Sequence, residues 1–400
     1  MSMNQALAAP AGVRTHGRDA VTWYAYLLLG AFTYLVSMQG NILPFLRADL
    51  GLSYRVVSLH TSALAAGMLV VGLFGERITR RFGRGATLRL GVVGAAAGAV
   101  LLCLAPAAWA SLASCALLGL FCAFIPSIVS ALLSDIHRDE REVAMSEANA
   151  VAYAFAMTVP LIAGLLVAAG WNWRLIPLAG ALAGAAIVLA FLRTPVPDAS
   201  CADAAADARA TLPPAFWFYW LALGFSVAVE FSVLLWAPAY LEKVVGLAAG
   251  SAATAAIAFF VAMLVGRIVG SMLVRVVNDR LLFVAVAAVT LVGFAVYTAT
   301  QDPVVSVAGL FVLGLGIALL FPLTMSFALA AAAPASDHAS MRLVLAPAIA
   351  VVLSPPLLGA LADTAGLSVT VTMTPALMVA ALAAFLVANR LGRPHAVRRT

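Results

Sequence analysis

The sequence predicts an all-α polytopic membrane protein with twelve transmembrane helices in two pseudo-symmetric six-helix bundles. Three observations predict it. First, 64% of the 400 residues are apolar and 10% are charged, against about 45–50% and about 25% in soluble domains. Second, the apolar residues gather into about twelve runs of about 20 residues, the length that crosses the hydrocarbon core of a bilayer. These runs contain Gly and Pro and do not alternate over about 10 residues, so they read as helices and not as barrel strands. Third, the two halves of the chain match each other in one register.

The runs place helices at 22–46, 56–78, 86–106, 108–134, 143–169, 175–193, 215–240, 250–276, 281–299, 303–330, 338–362 and 368–390. The first follows a polar stretch with Arg14, His16 and Arg18. No apolar core with a small-residue cleavage site precedes it, so the first helix is expected to be the insertion signal itself. The second and third are divided by a basic stretch, and the third and fourth only by Ala105-Pro106-Ala107. Gly170-Trp171-Asn172-Trp173-Arg174 separates the fifth from the sixth. Beyond the sixth lies Thr194-Pro195-Val196-Pro197-Asp198 and an Ala/Asp-rich stretch, whose length and polarity mark a flexible linker. The expected division is a tail 1–21, a bundle 22–193, a linker 194–214, a second bundle 215–390 and a tail 391–400.

A shift of about 195 residues superimposes the halves. Gly30 falls on Gly224, Pro44 on Pro238, Gly75 on Gly270, Arg80 on Arg275, Gly119-Leu120 on Gly314-Leu315, Pro126 on Pro322 and Gly170 on Gly366. The matches include Gly, Pro and Arg as well as apolar residues, which points to an internal duplication.

The net charge of +6 follows membrane topology and not nucleic acid. With a cytoplasmic N-terminus, seventeen of the twenty-three Lys and Arg fall on the cytoplasmic side, among them Arg14, Arg18, Arg77, Arg80, Arg81, Arg84 and Arg89. Arg47, Arg55, Arg174 and Lys243 fall outside, and Arg267 and Arg342 fall within helices. This positive-inside bias places both termini in the cytoplasm. The cysteines Cys103, Cys115, Cys122 and Cys201 form no CxxC pair and suggest neither disulfide nor metal. No phosphate-binding loop, HExxH, dinucleotide turn or nucleophile elbow occurs in a usable context, so neither an enzyme nor a built-in ATP motor is expected, and no cofactor.

Glu230 is the one charge in the apolar run Leu221 to Tyr240. An ionised side chain at the centre of a span costs roughly 3 kcal/mol or more, so it needs a partner or a task. Held in apolar surroundings, it can exchange a proton within reach of physiological pH. The alternative is a structural hydrogen bond to a neighbouring helix. His60, near the end of the second span, reads as interfacial.

The six-plus-six plan resembles the major facilitator superfamily of transporters. After the second span, Gly72-Leu73-Phe74-Gly75-Glu76-Arg77-Ile78-Thr79-Arg80-Arg81-Phe82-Gly83-Arg84 is similar to the signature loop of that family, with Glu76 as its acid and extra residues before Gly83. The resemblance implies a cytoplasmic gate of Gly75, Glu76, Arg77, Arg80, Gly83 and Arg84; a positive-inside anchor is the plainer reading. In the fifth span, Thr158-Val159-Pro160-Leu161-Ile162-Ala163-Gly164 is similar to the Gly-Pro motif of proton-antiporting drug exporters, with Val159 and Ala163 replacing Gly. Small-residue packing around a Pro kink is the favoured reading of this segment by itself.

In the family the second span packs on the eleventh and the fifth on the eighth. The resemblance therefore implies two ion pairs near the cytoplasmic side, Glu76 with Arg342 and Glu147 with Arg267. It also implies a central cavity lined by the first, fourth, seventh and tenth spans. Candidate cavity residues are Gln39, Asn41, Tyr34, Phe124, Phe231, Trp236 and Phe321, with Asn149 and Tyr153 on the fifth span.

These readings lead to an alternating-access secondary transporter of a small organic solute in a bacterial inner membrane, coupled to protons through Glu230. Efflux of a drug or metabolite by antiport is slightly favoured over symport uptake of a sugar or organic acid. The expected partners are the solute, protons and the lipid bilayer, with no nucleic acid and a monomer as the working unit. A non-transporting receptor or accessory protein is the rival class, but no loop is long enough to hold the soluble domain a sensor usually carries.

Overall fold

The computed structural model describes residues 19–137, 141–198, 212–274, 276–332, 339, 342–343 and 345–392. Most of both expected tails, residues 199–211 of the expected linker, Cys201 and Arg275 lie outside the described residues. The twelve expected spans are all helices, labelled here α1 (Ala20–Leu50), α2 (Tyr54–Phe82), α3 (Arg84–Leu104), α4 (Ala108–His137), α5 (Arg141–Ala168) and α6 (Leu175–Ala190) in the first half. The second half holds α7 (Pro214–Lys243), α8 (Ala249–Ala255 and Ile257–Leu273), α9 (Asp279–Ala299), α10 (Pro303–Ala331), α11 (Leu345–Ala365) and α12 (Leu367–Leu391). Eleven are long and apolar enough to cross a membrane, and α6 is a shorter apolar helix of 16 residues.

Local chemistry sets the helix ends. Asp19 caps α1 by accepting from the Thr22 amide at 2.8 Å, and Gly51 ends it at φ 61, a left-handed position that suits glycine. The expected end of α2 near residue 78 is too early. Glu76, Arg77, Arg80 and Arg81 are good helix formers and no breaker follows until Gly83, at φ 80, so most of the signature stretch is helix and not loop. α4 is interrupted at Ala123. Pro126 has no N–H to offer the carbonyl one turn earlier, which breaks the ladder there.

The duplication is visible in the packing. A Cβ on Gly98 of α3 would strike the Leu118 backbone of α4, and a Cβ on Gly293 of α9 would strike the Leu313 backbone of α10. Gly119 packs on Leu64, and Gly314 on Phe259, in the same correspondence. In lipid, where apolar burial between helices gains little, such close backbone approaches are a main source of association.

The halves meet through α2 with α11, α5 with α8, and α1 with α7. The close backbone approaches between the halves lie toward the end of the molecule that carries the α1–α2, α7–α8 and α11–α12 turns, called here the distal end. There Gly40 of α1 lies against the Leu234 carbonyl, Gly359 of α11 against the Tyr54 carbonyl and Ser58, and Gly164 of α5 against Thr254 and Gly250. On the distal side, hydrogen bonds join α2 to α11: Tyr54 N to Asp363 Oδ1, Arg55 N to Asp363 Oδ2, and Ser62 Oγ to the Val352 carbonyl. At the opposite, linker end, Glu76 of α2 and Arg342 just before α11 are both exposed.

Candidate functional site

Near the middle of α7, Glu230 faces two groups from other helices. Arg267 of α8 places its guanidinium carbon 4.7 Å from the centroid of the Tyr153 ring of α5. It is also within Coulombic reach of the Glu230 carboxylate. The three side chains come from both halves, and Glu230 and Arg267 are each partly buried. Stacking on Tyr153 offsets part of the cost of holding a guanidinium among apolar helices, by about 0.5–2 kcal/mol. Arg267 Nε is buried without an acceptor, while the Tyr153 hydroxyl is within hydrogen-bonding reach of the guanidinium. An acid and a base of the second half held near each other beside a ring of the first, without a direct ion pair, can respond to a change of charge in either one.

One turn farther toward the distal end on the same face of α7, Leu234 joins Phe231 in lining a small cavity with Gln39 of α1 and Thr61 of α2. Gln39 is 2% exposed, yet both its amide atoms lack partners, as does Thr61 Oγ1. Buried polar atoms are seldom left unpaired, because each costs about 1–3 kcal/mol. Phe231 and Phe321 pack together around Ala65, Val227 and Val351, an apolar wall where the halves touch.

Other candidates fall elsewhere. Tyr34 turns away from α7: its hydroxyl donates to the Ile176 carbonyl at 3.0 Å, and its ring abuts Gly180 of α6. Phe124 belongs to the core of the first bundle, against Gly75 and Gly91. Asn149 donates to the Met145 carbonyl of its own helix. Asn41 is buried with its Oδ1 unpaired. Trp236 lies on the distal side, edge-to-face with Tyr54 at 5.6 Å between centroids. His60 is fully buried, with Nε2 2.7 Å from Ser111 Oγ of α4.

Neither expected ion pair is present in this structure. Glu76 lies 3.7 Å from Arg80, one turn along its own helix, with both side chains about three-quarters exposed. Arg342 is exposed and its carbonyl accepts from Trp220 Nε1. Glu147 accepts from Tyr26 Oη at 2.7 Å, while Arg267 goes to Tyr153. Glu76 and Arg342 are therefore each engaged within their own half. Arg77 lies over the Phe74 ring. Arg84 ties α3 to α4 through Asp135 at 2.7 Å, and its amide donates to Asp198 beyond α6.

Thr61 and Asp363 are the contacts sequence reasoning missed. A threonine in an apolar run ordinarily bonds its own backbone, and Asp363 reads simply as a polar residue after a span.

The family model described as Major Facilitator Superfamily matches residues 25–344. The chain belongs to the major facilitator superfamily. No curated protein matches it, but its fold is that of solved family transporters. A bacterial homologue of the human lysosomal transporter Spinster, in an inward-facing and occupied conformation, superposes with a TM-score of 0.79 at 14% identity, over 94% of this chain and 98% of that one. The nucleoside transporter NupG gives 0.74 at 11% identity, over 92% and 98%. A D-xylose–proton symporter gives 0.67 at 14%, over 93% and 96%. The protein is thus a multi-pass membrane protein of a transporter family.

Proposed function

We propose that this chain is a proton-coupled secondary transporter of a small organic solute, with Glu230 as the group that takes up and releases the proton. The observation that carries this reading is the placement of Glu230 and Arg267, from α7 and α8, beside Tyr153 from α5. With Glu230 ionised, the Arg267 charge has a counter-ion nearby. Protonation removes that counter-ion and leaves Arg267 free to attract a solute group or to favour a different arrangement of the halves. A differential interaction of this kind is what a coupled transporter needs to link two conformations to two protonation states.

The positive-inside bias orients the linker end toward the cytoplasm of a bacterial inner membrane. On that orientation the tightly packed distal end faces outward, which supports reading this arrangement as inward-facing. Solute would reach the wall of Phe231 and Phe321 and the polar pair Gln39 and Thr61 from that side. Tyr153, Asn41 and the distal Trp236 are the remaining cavity candidates. Export by antiport is the favoured direction, on the resemblance of the fifth span to exporters.

The test uses sealed everted vesicles with an imposed proton gradient, a pH-sensitive dye and a panel of sugars, organic acids and lipophilic cations, with wild type beside Glu230→Gln. A solute-dependent proton flux that disappears in the variant supports coupling through Glu230, and its sign separates antiport from symport. An unchanged flux in Glu230→Gln would remove this residue from the mechanism.

A further inference from the structure

The acid Asp363 stands in the last turn of α11, at the helix end where the partial charge is negative and an acid disfavours its own helix. Its position is accounted for by the other half of the molecule. The carboxylate accepts from the Tyr54 amide at 2.7 Å and the Arg55 amide at 2.8 Å, two of the unpaired donors at the start of α2. Ser53, of the chain's own cap, takes the Val56 amide at 3.2 Å. The N-terminus of α2 is therefore capped partly by its own sequence and partly across the interface between the halves.

Tyr54 is the centre of this contact. Its amide is held by α11, and its ring lies between the Arg47 guanidinium of α1, 3.9 Å from the centroid, and the edge of Trp236 of α7. Gly359, one turn before Asp363, lets the α11 backbone approach the Tyr54 carbonyl. Four helices from both halves converge on one residue. The carboxylate itself is exposed, so water can replace the two amides when the halves part. Such a contact is directional enough to define one state and inexpensive enough to release.

We propose that Asp363 is the latch of the distal gate: its bidentate hold on the N-terminus of α2 favours the closed distal end, and its release accompanies opening on that side. The proposal does not depend on proton coupling at Glu230 or on the identity of the solute.

The test measures alkylation by a membrane-impermeant maleimide applied from the distal side to full-length protein in lipid, with Cys103 and Cys201 replaced by serine. The reporter is Leu43→Cys, because Leu43 is 3% exposed and lines the cavity beneath the gate with Tyr54 and Trp236. Asp363→Ala is expected to raise the labelling rate about threefold to tenfold, and Asp363→Asn, which keeps the shape but loses the charge, by less. The native Cys122, fully buried inside the first bundle, reports on general loosening. Labelling of Leu43→Cys at the wild-type rate in both variants, or a rise matched at Cys122, would overturn the proposal.

Discussion

The two ends of this protein are held together differently. At the distal end the halves touch through backbone: Gly40 on Leu234, Gly359 on Tyr54, Gly164 on Gly250, with the Asp363 carboxylate closing over α2. At the linker end the acids that the family plan would pair across the interface are turned to partners in their own half, Glu76 to Arg80 and Glu147 to Tyr26. Steric fit allows little intermediate opening, because packed surfaces either meet or separate. Long charged side chains can re-pair at small cost. The difference supports the proposal of two gates, one set by shape and the other by exchangeable charge, with Glu230 and Arg267 between them.

The largest effect is expected from filling the shape-based gate. A Cβ on Gly40 would overlap the Leu234 carbonyl, so Gly40→Leu should prevent α1 and α7 from closing. Overpacking costs about 1–3 kcal/mol, which shifts the balance between states by about tenfold to hundredfold in favour of the distal-open form. Labelling of Leu43→Cys measures it, and an unchanged rate would show that the close approach is not needed.

A smaller effect is expected at the centre. Arg267→Ala should reduce solute-driven proton flux by about tenfold or more, because it removes the partner of a charge buried in a span. Arg267→Lys keeps the charge but loses the planar stack on Tyr153 and should fall between. Tyr153→Phe keeps the ring, so its flux should stay within about twofold of wild type if stacking is the operative contact. A loss as deep as that of Arg267→Ala would assign the work to the hydroxyl.

The smallest effect concerns the exchangeable gate. If Glu76 meets Arg342 when the linker end closes, Glu76→Arg and Arg342→Glu should each slow transport by about threefold, and the double exchange should restore it. Additive losses would leave both residues as a positive-inside anchor.

Much of the fold is legible in the sequence because each span must satisfy its backbone internally and present a continuous apolar surface. The duplication is legible too, since residues that keep register, such as Gly119 with Gly314, pack at corresponding places in the two halves. The site is less so. α1 is apolar nearly all round, so nothing in its pattern separates Tyr34, which faces α6, from Gln39, which faces α7. Tyr153 is one aromatic among many until Arg267 is seen above its ring. Asp363 depends on a partner in the other half of the chain. Glu76–Arg342 and Glu147–Arg267 follow from the family plan alone, and side-chain partners within one half, Arg80 and Tyr26, are not legible in the spacing of the charges.

The most direct test of the two-gate account is a pair of cysteine cross-links in full-length protein in lipid. One joins Ser62→Cys to Val352→Cys on the distal side, where Ser62 Oγ lies 2.7 Å from the Val352 carbonyl, and the other joins Glu76→Cys to Arg342→Cys at the linker end. The account predicts that the two exclude each other: the distal link forms readily, suppresses the linker-end link and stops transport. Both links in the same molecule, or continued transport with the distal link closed, would contradict it.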